Sequence, residues 1–117
     1  MTTRLFLTGI GATGRHGAKP GEKDAPQDFV VDLDVQVAVD ADALDRTADY
    51  RGIIRTARGT VESTSFDLLE SLAAEVARAV SSLDGVVSAT AIVHKPAAAR
   101  SSDVQGVAAA FTVEAPG

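Results

Sequence analysis

The chain has 117 residues, and 16 acidic against 11 basic residues give it a net charge of −5. This length favours a single domain spanning residues 1–117. The absence of cysteine excludes disulfides, thiolate metal sites and cysteine nucleophiles. The acidic charge, without a basic run, argues against nucleic acid as a partner. No apolar segment has the length that crosses a membrane or opens a signal peptide, so we expect a cytoplasmic protein with no membrane partner.

The first predicted elements are two strands separated by a glycine-rich segment. Residues 4–9 alternate apolar and other side chains, which predicts a strand. Residues 9–21 then form a loop or an irregular strand end. The clearest pattern is the alternation from Phe29 to Asp40, which predicts a long strand with one buried face and one polar face.

Two helices and two more strands are predicted in the second half of the chain. Residues 49–58 are typical of a helix, although a glycine weakens the pattern. A second helix is predicted with Thr64 or Ser65 as its cap and an apolar stripe from Leu68 to Leu83. Residues 86–94 and 104–113 are predicted to be strands.

This order of elements predicts an α+β fold. Two strands, two helices and two strands favour a four-stranded antiparallel sheet with both helices on one face. The polar face of the second strand, which carries Asp32, Asp34 and Gln36, would then have no covering layer. It either meets solvent or lines the inside of a barrel formed by several subunits, which would also remove exposed strand edges.

Four places carry side chains suited to chemistry, and each alone has a simpler interpretation. Gly14-Arg15-His16-Gly17, followed by Glu22, suggests close backbone approach, or merely a solvated loop. Tyr50, the single tyrosine, is more often a packing residue. Glu70 could bind adjacent N–H donors of a ligand, or simply favour a helix start. Lys95, one of three lysines, could be a surface residue.

Taken together and in this order, the four places resemble the dihydroneopterin aldolase family of folate biosynthesis, which has the tunnelling fold. The resemblance covers nearly the whole chain. It departs from the family pattern at Ala12-Thr13, at Pro26 and at the segment from Ala97 to Arg100. The matching motifs are Gly14-Arg15-His16-Gly17, Pro26-Gln27-Asp28-Phe29, the segment from Thr47 to Tyr50, Leu68-Leu69-Glu70 and Val93-His94-Lys95-Pro96.

The resemblance implies a carbon–carbon lyase that needs neither metal nor other cofactor. Its substrate would be 7,8-dihydroneopterin, cleaved to 6-hydroxymethyl-7,8-dihydropterin and glycolaldehyde, with epimerase activity on the side. Glu22, Tyr50 and Lys95 would be catalytic, and Glu70 with Leu69 would bind the pterin. The family also implies a homo-oligomer, a tetramer or octamer, with active sites between subunits.

Three other functions stay open at this point. A dihydroneopterin triphosphate epimerase would need basic groups beside the site, for which Arg15 and Arg100 are candidates. A non-catalytic pterin- or purine-binding oligomer would need neither Tyr50 nor Lys95. A purely structural ring protein would have to bear the four motifs by coincidence.

Overall fold

The computed structural model describes residues 1–116, and its framework is one antiparallel sheet. The four strands lie in chain order: β1 (Thr2–Gly14), β2 (Gln27–Ala38), β3 (Val86–His94) and β4 (Ala108–Glu114). Each pairs antiparallel with the next, so β1 and β4 are the edge strands. The predicted α+β fold with a four-stranded antiparallel sheet is confirmed.

Helices α1 (Tyr50–Ser63) and α2 (Leu69–Ser81) pack on one face of this sheet, as predicted. A third, short helix, α3 (Pro96–Ser102), corrects the prediction of two helices. Its first residue is proline, whose missing N–H and fixed φ suit a helix start, and a run of alanines with high helix propensity follows. The segment from Ala97 to Arg100, which departs from the family pattern, is therefore helical.

The core lies between the helices and the apolar face of the sheet, to which β2 contributes its central row of side chains. Every second β2 side chain from Phe29 to Val37 is at most 2% exposed, which confirms the predicted alternation. These side chains meet one apolar stripe from each helix, and burying each such side chain stabilises the fold by about 1.5–3 kcal/mol. The fully buried helix residues are Ile53, Ala57 and Val61 of α1 and Leu72, Ala73, Val76, Ala77 and Val80 of α2.

The start of α2 differs from the prediction. Leu68 precedes its first residue, and no side chain caps the helix. Thr64 instead donates to the carbonyl of Thr60 (2.6 Å), and Ser65 donates to the carbonyl of Arg15 (2.8 Å). The two hydroxyls are engaged elsewhere, so α2 begins several residues later than expected.

Three further boundaries of strands and helices also differ from the predicted ones. β1 continues past Gly9, where the register shifts between Leu7 and Ile10. Gly9 has φ +75, a conformation that favours glycine, and its N–H donates to Asp32 Oδ1 (2.8 Å). Helix α1 extends through residue 63 rather than 58. β4 starts at residue 108 rather than 104, because Asp103 ends α3 with a left-handed backbone and a connection follows.

The face of the sheet opposite α1 and α2, here called the helix-free face, carries the polar side chains of β2 beside apolar ones such as the exposed Phe6. Its side chains bond across neighbouring strands. Arg4 pairs with Asp34 through its guanidinium, and Thr90 bonds with Thr112 (2.7 Å). Within residues 1–116, no helix combines the length and the apolar character that crossing a bilayer requires.

Candidate active site

Glu22 and Lys95 form an ion pair at one end of the sheet. Lys95 directly follows β3 and precedes α3, whereas Glu22 begins a 3₁₀ turn in the connection between β1 and β2. The Lys95 Nζ lies 2.5 Å from Glu22 Oε2, and the two side chains are 16% and 19% exposed. The fold thus brings together two predicted catalytic residues that are 73 positions apart.

The carboxylate of Glu22 is held in its ionised form. Its Oε1 accepts the backbone N–H of Lys19 (3.2 Å), and its Oε2 also accepts Gln27 Nε2 (3.3 Å). The hydrogen bond from Lys95 is the main reason that the pKa of Glu22 falls to about 2, with the Lys19 and Gln27 donors adding to it. At neutral pH the pair is therefore a carboxylate beside an ammonium group.

The glycines of the Gly-x-His-Gly motif permit close approach, as the sequence suggested. A Cβ at Gly17 would lie 2.1 Å from the carboxyl carbon of Glu22. A Cβ at Gly14 would lie 2.6 Å from the carbonyl oxygen of Val61 and 2.8 Å from the ring of His16. Any larger residue at either position would displace part of the site.

His16 is a residue whose role the sequence did not reveal. It is 2% exposed, and both ring nitrogens are hydrogen bonded. Nε2 lies 2.9 Å from the carbonyl oxygen of Val61, and Nδ1 accepts the N–H of Phe66 at 2.9 Å. Burial is the main cause that lowers the pKa of His16, and the nearby charges of Lys23 and Lys95 lower it further. The flanking glycines, which leave room for the ring, were the available signal.

An open cleft lies beside the Glu22–Lys95 pair. Asp67, just before α2, forms one side and binds Lys23 Nζ at 2.6 Å. The opposite wall is α3, the helix that sequence reasoning missed. The remaining lining residues are Ala18, Lys19, Pro20, Gly21, Gln27, Ala97, Ala98, Ser101 and Ser102.

Glu70 and Leu69 lie in the first turn of α2, close in sequence to the cleft residue Asp67. The Leu69 side chain packs against the core, so its backbone is what remains available to a ligand. Glu70 is exposed, and within residues 1–116 its carboxylate makes neither a hydrogen bond nor an ion pair. The first backbone N–H groups of a helix also lack partners inside it. This turn can accept a ligand with adjacent N–H donors.

Tyr50 lies far from the pair within one chain. It starts α1 and is 49% exposed. The nearby residue Ala48 packs against Gly85, which precedes β3, whereas Lys95 follows that strand. A strand rises about 3.3 Å per residue, so roughly 30 Å separates the two ends. The structure does not bring Tyr50 to the other predicted catalytic residues.

His94 belongs to the helix-free face rather than to the cleft pair. Its Nε2 lies 2.8 Å from Asp32 Oδ2, which is consistent with a structural role. Across residues 1–116, no three potential metal-binding side chains cluster together. The independence from metal stays a prediction.

The fold is one already known among enzymes of pterin chemistry. A structure of E. coli dihydroneopterin aldolase in complex with neopterin superposes with a TM-score of 0.81, at 20% identity, over 95% of this chain and 98% of that one. Dihydroneopterin aldolase from Burkholderia thailandensis, bound to guanine, gives a TM-score of 0.79 at 21% identity, over 97% and 91% of the two chains.

The sequence comparisons define the family. The family model for FolB, dihydroneopterin aldolase, matches residues 5–112. Dihydroneopterin aldolase of Streptomyces coelicolor is 34% identical over 80% of this chain and 82% of its own. Dihydroneopterin aldolase 2 of Arabidopsis thaliana is 35% identical over 66% and 62% of the two chains. The chain belongs to the dihydroneopterin aldolase family. The predicted function, aldolase activity of the carbon–carbon lyase class, is thereby confirmed.

Proposed function

We propose that the protein cleaves 7,8-dihydroneopterin with Lys95 and Glu22 as its proton-handling pair. The observation that carries this proposal is their ion pair, 2.5 Å long and largely sheltered, at the edge of the cleft. Unlike the more exposed ion pair of Lys23 with Asp67, this pair is sheltered from solvent. A sheltered acid–base pair is what proton transfer requires.

The first turn of α2 would hold the pterin ring. A pterin and guanine share an edge with an amino group beside a ring N–H, and structural relatives were solved with neopterin and with guanine. The Glu70 carboxylate can accept both hydrogens as a planar, bidentate partner. The backbone at Leu69 would complete the recognition of this edge.

The cleavage itself needs proton movement and little else. The ring of a dihydropterin contains a C=N bond next to the side chain. When the 2′-hydroxyl loses its proton and the C1′–C2′ bond breaks, the electron pair moves into this ring system and the ring nitrogen gains a proton. Glycolaldehyde leaves, and C1′ then takes up a proton while the ring nitrogen loses its own.

Lys95 and Glu22 would have different roles in these proton transfers. The Lys95 ammonium would protonate the ring nitrogen, which makes the ring an electron acceptor. A carboxylate with a pKa of about 2 is a weak base, so Glu22 would orient Lys95 and a water molecule beside the side-chain hydroxyls. This water would take the proton that the 2′-hydroxyl loses and pass it to solvent, from which Tyr50 would regain the proton that it gives to C1′. Protonation of C1′ is assigned to Tyr50, and the same groups acting in reverse on the rotated aldehyde would give the epimer.

Tyr50 would have to come from a neighbouring subunit. Roughly 30 Å of strand separates the end of the sheet near Tyr50 from Lys95, so one chain would not supply both groups to one site. Two exposed sheet edges and the polar side chains of the helix-free face support a closed homo-oligomer, a tetramer or octamer in which that face lines a barrel.

The triphosphate epimerase is less well supported by the site. Arg15 already donates to the backbone carbonyls of Lys23 and Asp24. Arg100 is exposed on α3, without a second basic residue beside it in that helix. Three phosphates would need a denser positive charge.

The test is turnover of 7,8-dihydroneopterin by the purified protein, with products separated by chromatography. Lys95→Ala is expected to lower kcat about 100- to 10,000-fold, the range for losing a proton-transfer group. Lys19→Ala is the matched control, because Lys19 holds Glu22 through its backbone N–H, which alanine retains. If the wild type binds neopterin but does not turn over 7,8-dihydroneopterin, the protein binds pterins without cleaving them and the proposal is wrong. Equal kcat in Lys95→Ala and the wild type would contradict the assignment of Lys95.

A further inference from the structure

We propose that His16 is a positioning residue that fixes the pterin-binding first turn of α2 relative to the Glu22–Lys95 pair. The proposal rests on the proposed function, because it concerns the same site. His16 touches neither the cleft nor the reacting groups. It joins the two segments that must hold a substrate between them.

Its link to α2 runs through Phe66, four residues before Glu70. The Phe66 N–H donates to His16 Nδ1 (2.9 Å), and the Phe66 carbonyl accepts the N–H of Gly17 (3.0 Å). Both backbone groups of Phe66 are thus held by the Gly-x-His-Gly motif. The Phe66 ring also stacks on the imidazole, with centroids 6.0 Å apart. Because α2 has no side-chain cap, this clamp fixes the chain leading into it, together with the bond from Ser65 to the Arg15 carbonyl and the ion pair of Asp67 with Lys23.

Its link to the catalytic pair runs through Gln27. The carbonyl of His16 accepts Gln27 Nε2 at 3.1 Å, and the same amide group donates to Glu22 Oε2. Gly17 adds a second link, since its backbone packs directly against the Glu22 carboxylate. The backbone carbonyl of His16 is therefore linked to the Glu22 carboxylate through Gln27, and its ring is linked to the segment that enters α2 through Phe66.

The hydrogen bonds allow one protonation state of the ring. The Val61 carbonyl can only accept, so Nε2 carries the hydrogen, whereas the Phe66 N–H can only donate, so Nδ1 must be bare. A second proton would turn Nδ1 into a donor facing another donor. The charged groups that act on the ring are the cations Lys23 and Lys95, and the packed faces are the rings of Phe29 and Phe66. None of them would compensate a positive charge on His16.

Two substitutions of His16 each remove one of the two hydrogen bonds that the imidazole ring makes. His16→Asn can place its amide oxygen where Nδ1 accepts from Phe66, while it loses the bond to Val61. His16→Gln can place its amide nitrogen where Nε2 donates to Val61, while it releases Phe66. Each variant loses the ring and one hydrogen bond, so a purely structural role predicts similar defects in both.

The readouts are KM and kcat for 7,8-dihydroneopterin and the Kd for neopterin, with urea unfolding as a check on stability. We expect His16→Gln to raise KM and Kd at least about fivefold more than His16→Asn does, the factor for one released hydrogen bond. Equal changes in the two variants would overturn the proposal. If the wild type binds neopterin without turnover, the catalytic proposal fails while the Kd comparison still tests His16.

A measurement on the unchanged protein applies even if both variants fail to fold. Burial lowers the pKa of His16 below the ordinary value of about 6.5, so the wild type should keep its neopterin affinity near neutral pH and lose it at lower pH, where protonated His16 cannot accept from Phe66. An affinity that stays constant from pH 7 until the protein unfolds would contradict the proposal. Where His16→Asn folds, its affinity should stay constant across the same range.

Discussion

The backbone of Gly17 packs so closely against the Glu22 carboxylate that no side chain fits at position 17 unless the carboxylate moves. Gly17→Ala would put a methyl group 2.1 Å from the Glu22 carboxyl carbon, so the carboxylate must move away from Lys95. We expect kcat to fall about 10- to 100-fold, as for a displacement of about 1 Å in an active site. Steady-state kinetics with 7,8-dihydroneopterin measures this.

Gly59→Ala is the matched control for that substitution. Gly59 lies within α1, and a Cβ there would meet nothing within 4 Å. Alanine in a helix interior is expected to stabilise the protein by up to about 1 kcal/mol and to leave kcat unchanged. Equal kcat in Gly17→Ala and Gly59→Ala would show that Glu22 can shift without consequence.

The low pKa of Glu22 gives the pair a defined effect on acid stability. The pKa is about 2 in the folded protein against an ordinary 4.5, so the folded state favours the ionised carboxylate. The stabilisation is fully present above pH 4.5 and is lost as the pH falls toward 2. Glu22→Gln lacks this contribution. Urea unfolding should therefore show a difference between wild type and Glu22→Gln that shrinks between pH 5 and pH 3. A difference independent of pH would contradict the ionised pair.

The site residues differ in how far the sequence could predict them. Glu22 and Lys95 were found by their place in a family pattern, although their contact depends on how distant segments fold. The role of His16 was missed because the flanking glycines, the one available signal, do not show whether they make room for a buried ring or for a turn. The clamp on Phe66 was equally invisible, since both of its bonds use backbone groups.

Among the elements, α2 carries most of the helix contribution to the core. Leu72 is fully buried, and Leu72→Ala should lower the free energy of unfolding by about 2–5 kcal/mol through lost burial and a cavity. Leu44→Ala is the matched control, because Leu44 is 56% exposed, and an effect within about 0.5 kcal/mol is expected. Urea unfolding measures both, and equal effects would contradict the packing of α2.

The elements that the sequence predicted best are those with long, strict patterns. β2 was recognisable because one face is wholly apolar and the other polar. α3 was missed because seven residues are too few to show a helical period, and three of them are alanines. The start of α2 was misplaced because Thr64 and Ser65, good caps by type, bond to carbonyls elsewhere. Local patterns cannot show which partner a hydroxyl will find.

At the scale of the whole molecule, one chain does not bring all of the predicted catalytic residues together. The Glu22–Lys95 pair and the first turn of α2 lie at one end of the structure, whereas Tyr50 lies at the other. The molecule is 49 Å long but only 25 and 21 Å across, so the ends are well separated. We propose that a second subunit supplies Tyr50 to the cleft.

The most direct test mixes two inactive variants, Lys95→Ala and Tyr50→Ala, by refolding them together and measuring dihydroneopterin cleavage. In randomly mixed oligomers, about one quarter of the interfaces would join an intact Lys95 to an intact Tyr50 of another subunit. We expect recovery toward about one quarter of wild-type activity, while each variant refolded alone stays inactive. If the mixture remains as inactive as its components, both residues act within one subunit and the account of a shared site is wrong.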